Sequence, residues 1–310
     1  MKKIWLLLIL LSLLCGCAAP AEEAPAHAFV FTDDLGRSVA VQDPKRVACL
    51  LGSFAQVWQL AGGEVIATPD DAWEDFGLEL AENTVNLGGT KHLSLELLLA
   101  AQPDFILAST NTRQNMELRE TLEGTGVPVA YFDVFDFKDY LRLLKLCTQL
   151  TGCPENYEIY GTAVEQQVES VIAQSRNRLK SQDSPSVLFL RASASAVHVK
   201  NSEGVVLGKL LKDLGCINIA DSDATLLENL SIEKILEADP DHIFIVQQGD
   251  DPEGMKRYVN QFFGEHPAWS QLTAVKENNV HFMEKRLFSL KPNHRWGEAY
   301  EIVEEILANG

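Results

Sequence analysis

Leu93-Ser94-Leu95-Glu96-Leu97-Leu98-Leu99-Ala100-Ala101-Gln102-Pro103-Asp104-Phe105-Ile106 returns later in the chain as Leu230-Ser231-Ile232-Glu233-Lys234-Ile235-Leu236-Glu237-Ala238-Asp239-Pro240-Asp241-His242-Ile243. The two copies agree in spacing and identity at eight positions. Each reads as a loop, a helix opened by a serine cap, a proline stop and a buried strand. Ordinary helix grammar explains part of the match. An acid in the first turn is favoured by the helix dipole by roughly 0.3 to 1 kcal/mol, and Pro-Asp is common punctuation between helix and strand. Agreement at eight positions goes beyond grammar and points to two similar lobes, each with a glutamate in the same place. Two matched acidic handles suit a two-fold partner.

Working outward, strand and helix alternate on both sides of each copy. A hairpin is expected over Phe29 to Val41, with Asp34-Leu35-Gly36 at its turn. Strands follow at Val47 to Leu51, Val65 to Ala67, Val85 to Leu87, Phe105 to Ala108 and Val129 to Phe132, with one helix capped by Ser53 and another at Phe137 to Leu150. The second half repeats the pattern, with strands at Val187 to Arg191, Ile217 to Ile219, His242 to Val246 and Val280 to Phe282. Between the halves, 154–182 has no proline after Pro154 and carries Tyr157, Tyr160, Val164, Val168, Val171 and Leu179 at helical spacing. This reads as one helix roughly 40 Å long, which would hold the lobes nearly fixed and permit small rocking. The expected fold is α/β: two Rossmann-like lobes with mainly parallel sheets, at 29–153 and 183–310, joined by one long α-helix.

The first residues carry an export signal. Lys2 and Lys3 precede an apolar run from Ile4 to Leu14 broken only by Ser12. As a helix that run would span about 16 Å, short of the ~30 Å of a bilayer core, so residues 1–16 are expected to be a signal peptide. Leu14-Cys15-Gly16-Cys17 resembles a bacterial lipobox, which makes Cys17 the expected lipidation site. Residues 17–28, rich in alanine, proline and glutamate, read as a flexible tether holding the protein to the outer face of the cell membrane.

A formal net charge of −18 makes nucleic acid an unsuitable partner. Cys49, Cys147, Cys153 and Cys216 form no CxxC pair and no metal-ligand spacing. They read as small buried hydrophobes, with Cys147 and Cys153 a candidate pair.

With these elements in place, the chain resembles the class III substrate-binding proteins of ABC importers that take up ferric siderophores, haem and cobalamin. The resemblance is carried by Thr32-Asp33-Asp34-Leu35-Gly36-Arg37, Pro44-Lys45-Arg46-Val47, Gly88-Gly89, both repeat copies and the long central helix. It implies a lipoprotein that traps an iron chelate or related macrocycle between its lobes and delivers it to an ABC permease dimer. It also implies that Glu96 and Glu233 meet arginines on that permease.

The strand-end rule nominates cleft residues independently, because ligands of parallel α/β sheets settle at the carboxyl ends of strands. The candidates are Ser53, Phe54, Gly88 to Thr90, Ser109 to Asn111, Asp133 to Phe135, Arg191 and Gln247 with Gln248. Trp73, Phe76, Tyr131, Phe135 and Trp296 are candidates to cover an apolar ligand body. Arg113, Arg191, Lys200 and Arg295 are candidates to meet its carboxylates or catecholates, with Arg191 and Arg295 preferred. The loop Phe288 to Trp296, containing Lys291-Pro292-Asn293-His294-Arg295, resembles a cleft-facing segment of Gram-positive relatives.

A receptor for bare zinc or manganese would need several of His92, His198, His242, His266, His281 and His294 to converge, and none has a recognisable ligand spacing. For haem, His92, His198, His294 or Tyr131 would be the axial candidates. No resident metal or cofactor is expected. GxSxG, GxxxxGK[ST], strand-linked GxGxxG and HExxH are all missing, so the chain does not read as an enzyme.

Overall fold

The computed structural model describes residues 28–228 and 230–310. The expected signal peptide, Cys17 and the tether up to residue 27 lie outside them. The described part opens with the hairpin β1 (Phe29–Thr32) and β2 (Ser38–Val41), paired antiparallel with Phe29 opposite Val41. Asp33 organises its turn. Its carboxylate accepts the backbone N–H groups of Leu35 and Arg37 at 3.1 and 3.0 Å and that of Tyr131 at 3.2 Å. Asp34 accepts the Asp133 N–H at 2.6 Å and two guanidinium N–H groups of Arg142 at 2.6 and 2.9 Å. The Asp33-Asp34-Leu35-Gly36-Arg37 motif therefore clamps the hairpin to the first lobe.

Ten further strands form two sheets. In the first lobe β3 (Val47–Cys49), β4 (Val65–Thr68), β5 (Val85–Asn86), β6 (Phe105–Ser109) and β7 (Val129–Phe132) lie in the order β5-β4-β3-β6-β7, all parallel. In the second, β8 (Ser186–Ala192), β9 (Val197–Lys200), β10 (Ile217–Asn218), β11 (His242–Gln247) and β12 (Val280–Met283) give the order β10-β8-β11-β12. These four are parallel, and β9 pairs antiparallel with β8. The nearly continuous apolar runs of β6 and β11 are what strands covered on both faces require. β9 is absent from the sequence expectation, because its alternating Val-His-Val-Lys is short and follows a run of serine and alanine.

The repeat has a structural meaning at most of its positions. Ser94 and Ser231 cap the helices Leu95–Ala100 and Ile232–Ala238, accepting the N–H groups of Leu97 and Lys234 at 3.2 and 3.3 Å. Gln102 and Asp239, with φ of 50° and 38°, turn the chain out of each helix into the proline. Asp104 then accepts the backbone N–H groups of Lys45 and Arg46 at 2.8 and 2.9 Å, just ahead of β3. Asp241 does the same ahead of β8, accepting the Ser186 N–H and hydroxyl at 2.7 and 2.8 Å. Serine, proline and aspartate are thus accounted for by folding. The two glutamates are exposed; Glu233 accepts the Ser231 hydroxyl at 3.1 Å, and neither side chain joins its helix to the following strand.

One cap differs from expectation. Ser53 does not cap the helix Gly52–Leu60; Leu51 occupies that position and provides no side-chain bond. Both oxygens of Asp71 lie 3.0 Å from the Gly52 N–H and replace the cap from a separate segment.

The connecting helix is α-helical over Glu155–Tyr157 and Ala163–Arg178, with one π turn at Glu158–Thr162. It ends at Leu179, before the expected limit at 182. The wider turn loosens the carbonyl ladder, and the Tyr140 hydroxyl donates to the Tyr160 carbonyl there at 2.8 Å. Gly161 lets the Tyr157 ring lie against the backbone, since a Cβ would stand 2.9 Å from it. The last helix, Trp296–Asn309, packs along the connecting helix through a two-point Arg178–Glu304 bond at 3.0 and 3.1 Å. It also crosses to the first lobe, with Trp296 edge-on to Phe137 at 6.0 Å.

One hydrophobic cluster runs through both lobes, from Phe54 and Trp58 past Leu144 and Val168 to Phe189, Leu210 and Tyr300. Side chains of this size each contribute about 1.5–3 kcal/mol when fully buried. Opening the lobes widely would expose part of that cluster, so the shared core favours small rocking.

Candidate functional site

Both sheets reverse their strand order beside the cleft. In the first, the chain leaves β3 toward β4 and returns on the other side as β6; in the second, β8 and β11 part in the same way. Such switch points leave a crevice at the carboxyl ends of the strands. The first crevice presents Leu51, Ser53, Asn111 and Thr112, and the second presents Arg191 and Val246. They face one cleft of about 270 Å³, closed along one side by the loop Phe288 to Lys291.

The lining combines flat apolar surface with isolated charge. Phe76, Phe135, Phe189 and Phe288 supply rings, and Arg191 and Lys291 supply positive charge. Arg191 donates to the Ser289 hydroxyl at 2.9 Å and forms no ion pair among the described residues. Burial pulls its pKa down from the ordinary arginine value, although a guanidinium stays charged at any ordinary pH. Lys291 also lacks an ion pair among the described residues; its ammonium lies 5.7 Å from the Phe54 ring centre. Burial lowers its pKa, and the carboxylates of Asp133 and Asp71 oppose that shift. Asp71 itself is pushed up to about 6, chiefly by burial, against the stabilising Gly52 N–H. Asp75 is paired with Lys285 at 2.5 Å.

The loop bearing Ser289 and Lys291 is fixed to the first lobe by polar contacts. Arg286 donates to the Lys291 carbonyl at 2.8 Å and to the Gln56 carboxamide oxygen at 2.8 Å. Asn293 donates to the same oxygen at 2.9 Å and to the Ser53 carbonyl at 3.0 Å. Arg286 also lies 4.2 Å over the Phe76 ring, and burial together with nearby Arg295 lowers its pKa to about 10.

Of the aromatic and cationic candidates, Phe76, Phe135 and Arg191 line the cleft, and the others stand elsewhere. Trp73 is half-buried against the core beside Asp71. Tyr131 is fully buried in β7 beneath the Arg37 guanidinium at 4.9 Å, and burial drives its hydroxyl up to about 12. Lys200 lies on β9 opposite Phe189, outside the lining. Arg295 is tied to nearby Glu298 by bonds of 2.7 and 2.7 Å, and Trp296 is buried against Phe137 of the first lobe and Tyr300, so neither lines the cleft. Aromatic type alone could not separate core from cleft. Lys291 was within reach of the sequence through its loop, whereas nothing local marks Asp71.

Glu96 and Glu233 occupy matching first-turn positions on the two helices of the repeat, both exposed. Hydrogen bonds from its own backbone N–H and the Ser231 hydroxyl hold Glu233 below the usual carboxylate range. Among the described residues no three His, Cys, Asp or Glu side chains come together as a metal-binding group.

Residues 47–287 match the periplasmic binding protein family. The Bacillus subtilis iron-uptake system-binding protein is 27% identical over 208 residues, which cover 67% of this chain and 63%, just under two thirds, of that protein. A putative ABC transporter substrate-binding lipoprotein of Bacillus subtilis, YhfQ, is 22% identical across 92% of this chain and 90% of its own. Among solved structures, Staphylococcus aureus SirA complexed with staphyloferrin B superposes with a TM-score of 0.70 at 19% identity, covering 90% of this chain and 98% of SirA. The periplasmic heme-binding protein RhuT of Roseiflexus sp. RS-1 gives 0.66 at 19% identity, with coverages of 86% and 98%.

Proposed function

The chain belongs to the periplasmic binding protein family, and we propose that it captures an anionic ferric chelate between its lobes and hands it to an ABC permease. One observation carries this reading: Arg191 and Lys291, without ion pairs among the described residues, face a cleft lined also by four phenylalanine rings, while of its two carboxylates Asp75 is paired with Lys285 and Asp71 has a raised pKa. Cations already held out of water are aimed at a ligand's negative charge, and the rings suit its flat apolar parts. Relatives named for iron uptake and staphyloferrin B binding support the same class.

Haem is the second reading, favoured by the likeness to RhuT. Haem iron needs an axial ligand from the protein, and the inner cleft's lining contains no histidine, tyrosine, methionine or cysteine among the described residues, His92 standing outside it beyond Thr90. A chelate that saturates its own iron needs none. Bare zinc or manganese would require converging donors, and the described residues hold no such group.

In this account Cys17 carries the lipid that holds the receptor at the outer membrane face, and Glu96 and Glu233 dock one on each half of the permease dimer. Capture and release need no bond chemistry. Ligand must favour a slightly closed form, and docking must favour the open one. Tryptophan-fluorescence titration of the purified lipoprotein with ferric chelates, haem, cobalamin, zinc and manganese tests this reading. It expects saturable binding of a ferric chelate; binding of the bare ions alone would overturn it.

A further inference from the structure

The cleft continues past Thr90 and Thr112. Both threonines also line a second cavity of about 550 Å³ on the first lobe, whose outer wall carries Lys91, His92 and Arg113. The inner cleft, at about 270 Å³, is at the lower edge of the ~300–1,000 Å³ usual for small-molecule sites. A chelate seated on Arg191 and Lys291 would have its remaining atoms led between two hydroxyl side chains into the outer space.

Charge distinguishes that space from the surrounding surface. Lys91 forms no ion pair among the described residues, and Arg113 meets Glu117 of its own helix at 2.6 Å with 92% and 49% side-chain exposure. A pair so exposed is worth at most about 1 kcal/mol and gives way to a better partner. On a chain of net charge −18, a cavity wall carrying Lys91 and Arg113 against the single carboxylate of Glu117 keeps a positive balance beside the cleft that draws anions in.

We infer that the outer cavity is an anion subsite for a distal carboxylate arm, which makes the ligand an extended polycarboxylate chelate of iron. The inference rests on the ferric-chelate reading above. Arg191 and Lys291 take the iron-bearing end, Thr90 and Thr112 flank the passage, and Lys91 and Arg113 take the far carboxylate.

The test compares ferric dicitrate, which keeps free carboxylates, with neutral ferrichrome on the detergent-solubilised lipoprotein, using fluorescence quenching at low and physiological salt. The double variant Lys91→Ala/Arg113→Ala should weaken ferric dicitrate about tenfold or more, most strongly at low salt, and change ferrichrome less than about twofold. Lys91→Arg/Arg113→Lys should restore most of the affinity. An unchanged ferric dicitrate affinity in the alanine variant, with Lys291→Ala still weakening it, would overturn the outer subsite and leave the chelate reading standing. Failure of the unaltered lipoprotein to bind any ferric chelate would instead overturn the reading on which it rests.

Discussion

The Arg286 guanidinium of the second lobe donates to the Gln56 carboxamide oxygen of the first at 2.8 Å, and that oxygen also accepts from Asn293 at 2.9 Å. The same arginine holds the Lys291 carbonyl. One network therefore joins the lobes and sets the loop that brings Lys291 and Ser289 to the cleft.

Gln56→Ala removes the shared acceptor and leaves the half-buried Arg286 cation with one partner fewer. Hydrogen bonds to charged groups contribute about 1.5–3 kcal/mol, so a destabilisation of about 2 kcal/mol is expected in urea unfolding. Ligand affinity should fall as well, because the loop loses its anchor. Unchanged stability and unchanged affinity together would contradict the role of this network.

The Arg178–Glu304 pair fastens the connecting helix to the last helix, with side chains only 11% and 10% exposed. Removing one partner strands the other charge, so Arg178→Ala should cost about 3–5 kcal/mol by the same unfolding measurement. The double change Arg178→Met/Glu304→Leu should recover much of it. A destabilisation under about 1 kcal/mol in the single variant would show that water already satisfies the pair.

Asp71 gives the cleft a pH dependence. Its pKa is raised to about 6, mainly by burial, so the protonated form is the one the fold favours. Its contribution to stability is present below the ordinary carboxylate value and is lost as pH rises through about 6. Binding follows the same direction, because an ionised Asp71 both repels an anionic ligand and competes for Lys291. Affinity should therefore rise as pH falls from about 7.5 to 5.5, and Asp71→Asn should flatten the profile. A profile unchanged by that substitution would place the titration elsewhere.

Glu96→Ala and Glu233→Ala should abolish ligand uptake by cells while leaving the affinity of the purified protein nearly unchanged. Both residues are exposed, and neither lines the cleft. Loss of ligand binding in both variants would remove them from docking.

The repeat was legible because its serine, proline and aspartate answer local needs that recur at each helix-to-strand passage, and sequence records local needs well. The long helix and the paired sheets followed from periodicity in the same way. The cleft was legible where strand ends define it, as at Arg191 and Phe135, and in the loop that carries Lys291. Tyr131 and Trp296 carry the same residue types as a ligand platform, yet their surroundings are core, fixed by Arg37 in one case and by Phe137 and Tyr300 in the other. Asp71 is held at the cleft by the Gly52 N–H, and the loop of Lys291 is fixed through Arg286 to Gln56, 230 residues away. No local pattern encodes such meetings.

In the proposed capture step, Arg191 and Lys291 hold the ligand's negative charge between the lobes. Its most direct test is the affinity of the purified protein for an anionic ferric chelate, measured by fluorescence titration before and after Arg191→Ala and Lys291→Ala. A charge-assisted hydrogen bond in a desolvated site contributes about 1.5–3 kcal/mol, so each substitution should weaken binding roughly ten- to a hundredfold. Affinity unchanged in both variants would contradict the account.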